Sequence, residues 1–233
     1  MTLLATIHLN KFAIIVSDKK EVFITDRIIV AHHEHGEKII DTSIGLITGT
    51  GYVEFLSAVK KKIAATKITN TNKIMKIISK ERDLIKNSSF KSAKNKEELL
   101  EKERWLFTDK SMLENTASLK VGFYHPSVDK DNLVTINENT SKVFFPSDVS
   151  QEVANKYSSF LSENIQTLEK IPDFNNNLNH NVTLILIMMN EVSRITETVS
   201  KTCDIGVIFK EKGTKLLAKN ISVETPNFTF INL

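Results

Sequence analysis

Thr2-Leu3-Leu4-Ala5-Thr6-Ile7-His8-Leu9 and, after Asn10-Lys11, Phe12-Ala13-Ile14-Ile15-Val16-Ser17-Asp18 are the residues on which the fold turns. Two apolar runs of strand length, parted by two polar residues, predict a hairpin over 3–9 and 12–17. Thr2 opens the first run directly after Met1. Removal of Met1 makes Thr2 the first residue. Its hydroxyl then lies beside an α-amine of unperturbed pKa about 7.7–8.0, a base that can activate a nucleophile without a histidine.

Working outward, Val22–Ile24 and Arg27–Ala31 form a second short pair around Thr25-Asp26, and Ile44–Thr48 is a buried strand ending in Gly49-Thr50-Gly51. The period then changes. Tyr52, Phe55, Leu56, Val59 and Ile63 fall at helical spacing, with Thr50 as N-cap. Further helices are expected over Asn72–Lys86 and Lys96–Phe107. Strands return at Leu119–Tyr124, Leu133–Ile136 and Lys142–Phe145. A helix is expected from Pro146-Ser147-Asp148 to Glu169, an Asn-rich linker over 175–181, and a helix over Val182–Val199. The chain closes in strands at Ile205–Phe209, Lys215–Ala218 (around Lys212-Gly213), Ser222–Val223 and Asn227–Ile231. Regular strand–helix alternation is absent, which argues against a doubly wound parallel sheet. The order fits two antiparallel sheets with helices on both outer faces, an α+β four-layer αββα sandwich. No repeat or compositional shift marks a second domain, so residues 1–233 are expected to form one, with a longer charged helical segment at about 70–115.

Composition sets the class. With 41% hydrophobic and 25% charged residues the chain reads as an ordinary globular protein. No apolar run approaches the roughly 18–20 residues needed to span a bilayer, and no basic segment precedes the first apolar run, so neither a membrane partner nor a signal peptide is expected. Cys203 is the only cysteine, which excludes an intrachain disulfide and a multi-cysteine zinc site. A cytoplasmic location follows. The net charge of +3 is uneven: residues 60–110 hold 15 Lys/Arg against 7 Asp/Glu, an excess of eight. A nucleic-acid surface would have this balance, but Phe90, Trp105 and Phe107 form no stacking pattern, and solvated helix faces explain it better.

Order and spacing together resemble the proteasome β-type peptidases of the N-terminal-nucleophile (Ntn) hydrolases, including the bacterial HslV and Anbu branches. Thr2 stands where that family has its nucleophile, and Asp18 where it has a buried aspartate. Lys38, in Gly36-Glu37-Lys38-Ile39, resembles the lysine of the third strand. Ile47-Thr48-Gly49-Thr50-Gly51 resembles the strand end whose glycine N–H forms the oxyanion hole. Glu197-Thr198-Val199-Ser200 stands where the family carries an acid three positions before a serine, and Asp204–Phe209 resembles the strand that follows. The chain departs from the pattern in a longer Asp18–Lys38 loop, in Phe144-Phe145-Pro146-Ser147 where a Gly-Ser segment belongs, and in Lys201 after Ser200.

The resemblance implies a threonine peptidase. Thr2 Oγ1 attacks a peptide carbonyl after passing its proton to the α-amine. Lys38 lowers the pKa of that hydroxyl and amine, and Asp18 orients Lys38. The Gly49 N–H meets the oxyanion, and Glu197 and Ser200 support the amine. It further implies a peptide or unfolded-protein substrate, an ATPase unfoldase partner and a homo-oligomer, with no cofactor. The excess of basic groups would repel across a contact between like faces, so a dimer or salt-sensitive oligomer smaller than a double ring is expected. A non-catalytic binding or assembly subunit of the same fold is the alternative. His32-His33-Glu34-His35 offers zinc-type ligands, but only His33 and His35 share a strand face; it reads as an exposed turn, and no metal is expected. Gly49-Thr50-Gly51 lacks the remaining elements of a dinucleotide loop or P-loop.

Overall fold

The computed structural model describes residues 2–25, 28–33, 37–88, 93–113, 116–211, 215–226 and 228–230. Strands β1 (Leu4–His8) and β2 (Phe12–Asp18) form the expected hairpin. They are joined by β10 (Thr140–Phe144), β11 (Thr202–Phe209) and β12 (Lys215–Ser222) in an antiparallel sheet of order β10-β1-β2-β11-β12. The second antiparallel sheet runs β5 (Ile39–Asp41), β6 (Leu46–Thr50), β7 (Arg104–Leu113), β8 (Thr116–Tyr124), β9 (Val134–Ile136). A separate ribbon pairs β3 (Glu21–Thr25) with β4 (Ile28–His33). Helices α1 (Val53–Ala64), α2 (Thr71–Asn87) and α3 (Ala93–Leu100) follow β6; α4 (Gln151–Asn164) and α5 (Phe174–Ile195) follow β10.

Three apolar layers make this a four-layer αββα sandwich, as the sequence leads one to expect. Leu3, Ala5, Ile7, Phe12, Ile14 and Val16 pack with Leu161 and the α5 side chains Val182, Ile185 and Met189. Leu4, Ala13 and Ile15, which alternate with them, face Leu46, Leu106 and Val121 of the second sheet. Ile47, Trp105 and Phe107 pack outward against Phe55 and Val59 of α1 and Ile74 and Ile78 of α2. Strands covered on both faces must be apolar at successive positions, hence the unbroken run in β2. The sheets meet closely at Gly206: a Cβ there would lie 2.7 Å from Leu46 Cδ1 and 3.4 Å from Ile39 Cγ2.

Four local readings are corrected. The helix expected over Lys96–Phe107 stops at Leu100, and Arg104–Leu113 is a strand. Trp105 and Phe107 face one core and Leu106 the other, a period of two that three apolar residues alone cannot distinguish from a helix. The helix expected over 146–169 is shorter, Gln151–Asn164, and is capped by Ser150, whose Oγ accepts from the Val153 N–H at 3.3 Å. The Asn-rich stretch is the start of α5. Asp173 caps it, accepting from the Asn176 N–H at 2.8 Å, while the buried Asn177 and Asn181 side chains each donate to Gln166 O at 2.9 Å. Finally, 228–230 is not a strand. Asn179 donates to Phe230 O at 3.1 Å and accepts from its N–H at 2.8 Å, tying the tail to α5. No helix among the described residues is long and apolar enough to cross a membrane.

Candidate functional site

Thr2 precedes β1 at one end of the gap between the sheets and is buried, as are Asp18 and Lys38. The β1–β2 register sets Ser17 opposite Leu4, so the next residue, Asp18, ends β2 beside the start of β1. Its carboxylate ties three segments together. Oδ2 accepts the Leu3 N–H at 2.5 Å, and Oδ1 accepts the Lys20 N–H at 2.7 Å and the Ser200 N–H at 3.3 Å. Burial pushes the Asp18 carboxyl up to about 7, against the pull of these donors and of the Lys38 charge.

Thr2 is held at its nitrogen and at its hydroxyl. Its N–H donates to Thr50 Oγ1 at 2.8 Å, and its Oγ1 donates to Lys20 O at 3.3 Å. The ammonium of Lys38 donates to the same Lys20 carbonyl at 3.4 Å, so threonine hydroxyl and lysine converge on one oxygen. The carboxylate touching Lys38 is not that of Asp18. Glu21, at the start of β3 and 25% exposed, pairs with Lys38 Nζ at 3.0 Å. The Lys38 backbone is fixed by Asp204, whose Oδ2 accepts its N–H at 3.4 Å while the same carboxylate pairs with buried Lys19 at 3.2 Å. On α1, burial and the Lys38 charge depress the Lys60 ammonium to about 8.

Thr2, Lys20, Glu21, Lys38, Gly51 and Leu56 are among the residues around a cleft of about 20 Å³, room for a water molecule. Gly51 adopts φ +144°, a conformation that favours glycine, and a Cβ there would lie 3.0 Å from Glu103 Cα. Gly49 stands further in, opposite Trp105, whose ring would lie 2.5 Å from an added Cβ.

Of the residues named from sequence, Thr2, Asp18 and Lys38 come together, and Ser200 joins them through its backbone N–H. The Ser200 hydroxyl is engaged with Thr202 Oγ1 at 2.9 Å. Glu197 is exposed. Its neighbours Thr196 and Thr198 donate instead to Asp148, Thr198 at 2.8 Å. Thr50 does not cap α1: Tyr52 stands at the N-cap position, and its side chain makes no capping bond. The sequence reading missed Glu21, Thr50 and Asp204 as site neighbours. Only Thr50 carried a signal, lying between Gly49 and Gly51 on a strand end. Glu34 and His35, with the His32 and His33 side chains, lie outside the described residues; among those described, no cluster of three His, Cys, Asp or Glu could hold a metal.

No protein-family model matches the chain, and no curated protein matches it in sequence. Solved structures do. Anbu (ancestral β-subunit) from Yersinia bercovieri superposes with TM-score 0.62 at 8% identity, covering 97% of this chain and 91% of that one. Anbu from Hyphomicrobium sp. strain MC1 gives 0.60 at 9%, covering 97% and 91%. The Anbu complex of Pseudomonas aeruginosa, solved as a helical assembly, gives 0.59 at 10%, covering 93% and 86%. These likenesses correct the branch read from sequence: it put the proteasome β-type and HslV-like peptidases first, with Anbu only among the branches, and the solved structures cited here are Anbu proteins rather than HslV or proteasome β subunits proper. At such identities the fold is what is shared, and it is the proteasome-like Ntn fold.

Proposed function

We propose that the chain is an amino-terminal threonine peptidase that cleaves peptide bonds through Thr2 once Met1 is removed. The observation that carries this reading is the meeting of Thr2 Oγ1 and Lys38 Nζ on the Lys20 carbonyl, inside a cleft, beside a buried aspartate. When Thr2 Oγ1 leaves that carbonyl, its proton passes to the freed α-amine and the oxygen attacks the substrate carbonyl. The Lys38 charge lowers the cost of the developing alkoxide. Glu21 orients the Lys38 ammonium, Asp204 holds its backbone, and Asp18 anchors the segments that carry Thr2, Lys20 and Ser200. The oxyanion is met by the backbone of the Gly49–Gly51 strand end, for which Gly49 is the sequence's candidate.

Substrates are peptides or unfolded proteins, delivered by an ATPase unfoldase partner, and the chain self-associates. The Anbu complex of Pseudomonas aeruginosa forms a helical assembly, which supports an open oligomer over a closed double ring. The test is intact mass of the protein from its host, with peptide hydrolysis by wild type and Thr2→Ala. A mass lacking Met1 and turnover lost in the variant are expected; retained Met1, or equal hydrolysis by both, overturns the reading. A second reading, a binding or assembly subunit without turnover, is favoured by the cleft's volume of about 20 Å³, too small for a peptide side chain without opening.

A further inference from the structure

Thr50 ends β6 with its hydroxyl in the gap between the sheets, and both it and Thr2 are at most 4% exposed. The hydrogen bond it accepts at 2.8 Å from the Thr2 N–H, a peptide N–H while Met1 is in place, joins the segment that leads into β1 of one sheet to a side chain of the other sheet. A free amino terminus is ordinarily among the least ordered groups of a chain. A general base, by contrast, must present its lone pair to the proton it takes. A hydroxyl oxygen that accepts one N–H fixes the rotation about the N–Cα bond and leaves the remaining nitrogen valences directed elsewhere.

We infer that Thr50 is the positioning residue of the Thr2 amine, accepting one of its N–H groups and turning its lone pair toward Thr2 Oγ1. The inference rests on the reading of Thr2 as an amino-terminal nucleophile. It adds to that reading a role for the Thr50 hydroxyl, which accepts from the Thr2 nitrogen. The bond has a definite electrostatic sense. An acceptor beside the nitrogen favours the ammonium form, raising the amine's pKa, while burial and the Lys38 charge lower it. Asp18, at the end of β2, holds the N–H of the next residue, Leu3; Lys20, Glu21 and Lys38, from the segment after β2, β3 and the segment before β5, line the cleft with Thr2; and Arg104 pairs opposite Thr50 on β7. Against this fixed background, removing the Thr50 hydroxyl alone lowers the amine's pKa.

The test uses full-length chain released from a cleavable amino-terminal fusion so that it begins at Thr2. The rate of acetylation of the amino-terminal peptide, followed by mass spectrometry from about pH 5 to 10, reports the α-amine pKa directly. Thr50→Val, which keeps the shape and strand preference of the side chain, is expected to lower that pKa by about half to one unit, and Thr50→Ser to restore it. If Thr50→Val lowers thermal stability, Thr50→Ala read against Thr50→Ser carries the comparison. An unchanged amine pKa in the valine and alanine variants, or no recovery with serine, overturns the inference. A merely structural role would move stability without moving the pKa. Because the titration needs no turnover, absent peptidase activity sinks the reading of the site as a peptidase and leaves this result to stand or fall by itself.

Discussion

The cleft beside Thr2 and the groove between α2 and α3 are opposites. The cleft has about 20 Å³ and the groove about 390 Å³. In the groove, Lys76, Arg82, Lys86 and Lys130 stand against Asp83, Glu97, Glu101 and Asp131, so bases and acids balance. Its strongest interaction is turned inward: Arg82 pairs with Glu103, a 1% exposed carboxylate that burial pushes up to about 7, and also donates to Leu100 O at 3.0 Å. In the cleft, segments distant in sequence bring a hydroxyl and an ammonium within hydrogen-bond reach of one backbone carbonyl. Volume alone therefore misleads here. The groove is a gap in a charged helical layer, whereas the cleft is where donors from both sheets converge.

The sharpest way to break this contrast is Thr2→Ala. Turnover is expected to fall at least about a thousandfold, as for loss of other nucleophiles, with an unchanged melting temperature; surviving activity would move the chemistry elsewhere. Arg82→Ala probes the other region. It strands a buried carboxylate, which typically costs about 3–5 kcal/mol, and chemical denaturation should show that loss while turnover below the transition stays at wild-type level. Lost turnover in the folded variant would tie the groove to the site.

A smaller effect follows from Asp18 and Glu103, whose folded pKa values of about 7 lie above their ordinary values of 3.8 and 4.5. The native state therefore binds these protons more readily than the unfolded chain does. Their contribution to stability is complete below about pH 4 and is lost as pH rises through about 7, by about 2–3 kcal/mol for each group between pH 5 and 8. Urea midpoints at pH 5 and 8 measure it, and Glu103→Gln should remove the groove's share and leave that of the cleft. Smallest of all, Lys86→Glu should change stability by no more than about 0.5 kcal/mol and leave peptide hydrolysis untouched.

The double-sided burial of β1 and β2 was legible because Leu4, Ala5, Ile14 and Ile15 leave no polar face. The α2 stripe was legible because Ile74 and Ile78 repeat at helical spacing. β7 was not, since Trp105-Leu106-Phe107 follows an acidic and basic run that continues a helix equally well. The start of α5 was hidden because asparagine usually marks loops, and only the tertiary fold shows that Asn177 and Asn181 serve the α4–α5 connection. At the site, Thr2, Asp18 and Lys38 could be picked by order along the chain. Glu21 and Asp204 could not, and Thr50 only through its place between Gly49 and Gly51, because their role comes from contacts made across strand ends and between sheets, which spacing does not encode.

Gly206 gives the candidate site a dependence that its own residues do not reveal. Thr2 leads into a strand of one sheet and Thr50 ends a strand of the other, so the alignment of nucleophile and strand end is only as exact as the separation of the two layers. That separation is gauged where a missing methyl lets Leu46 and Ile39 settle against β11. An alanine there would act as a shim, parting the layers and lengthening the Thr2–Thr50 contact without altering any atom that makes it.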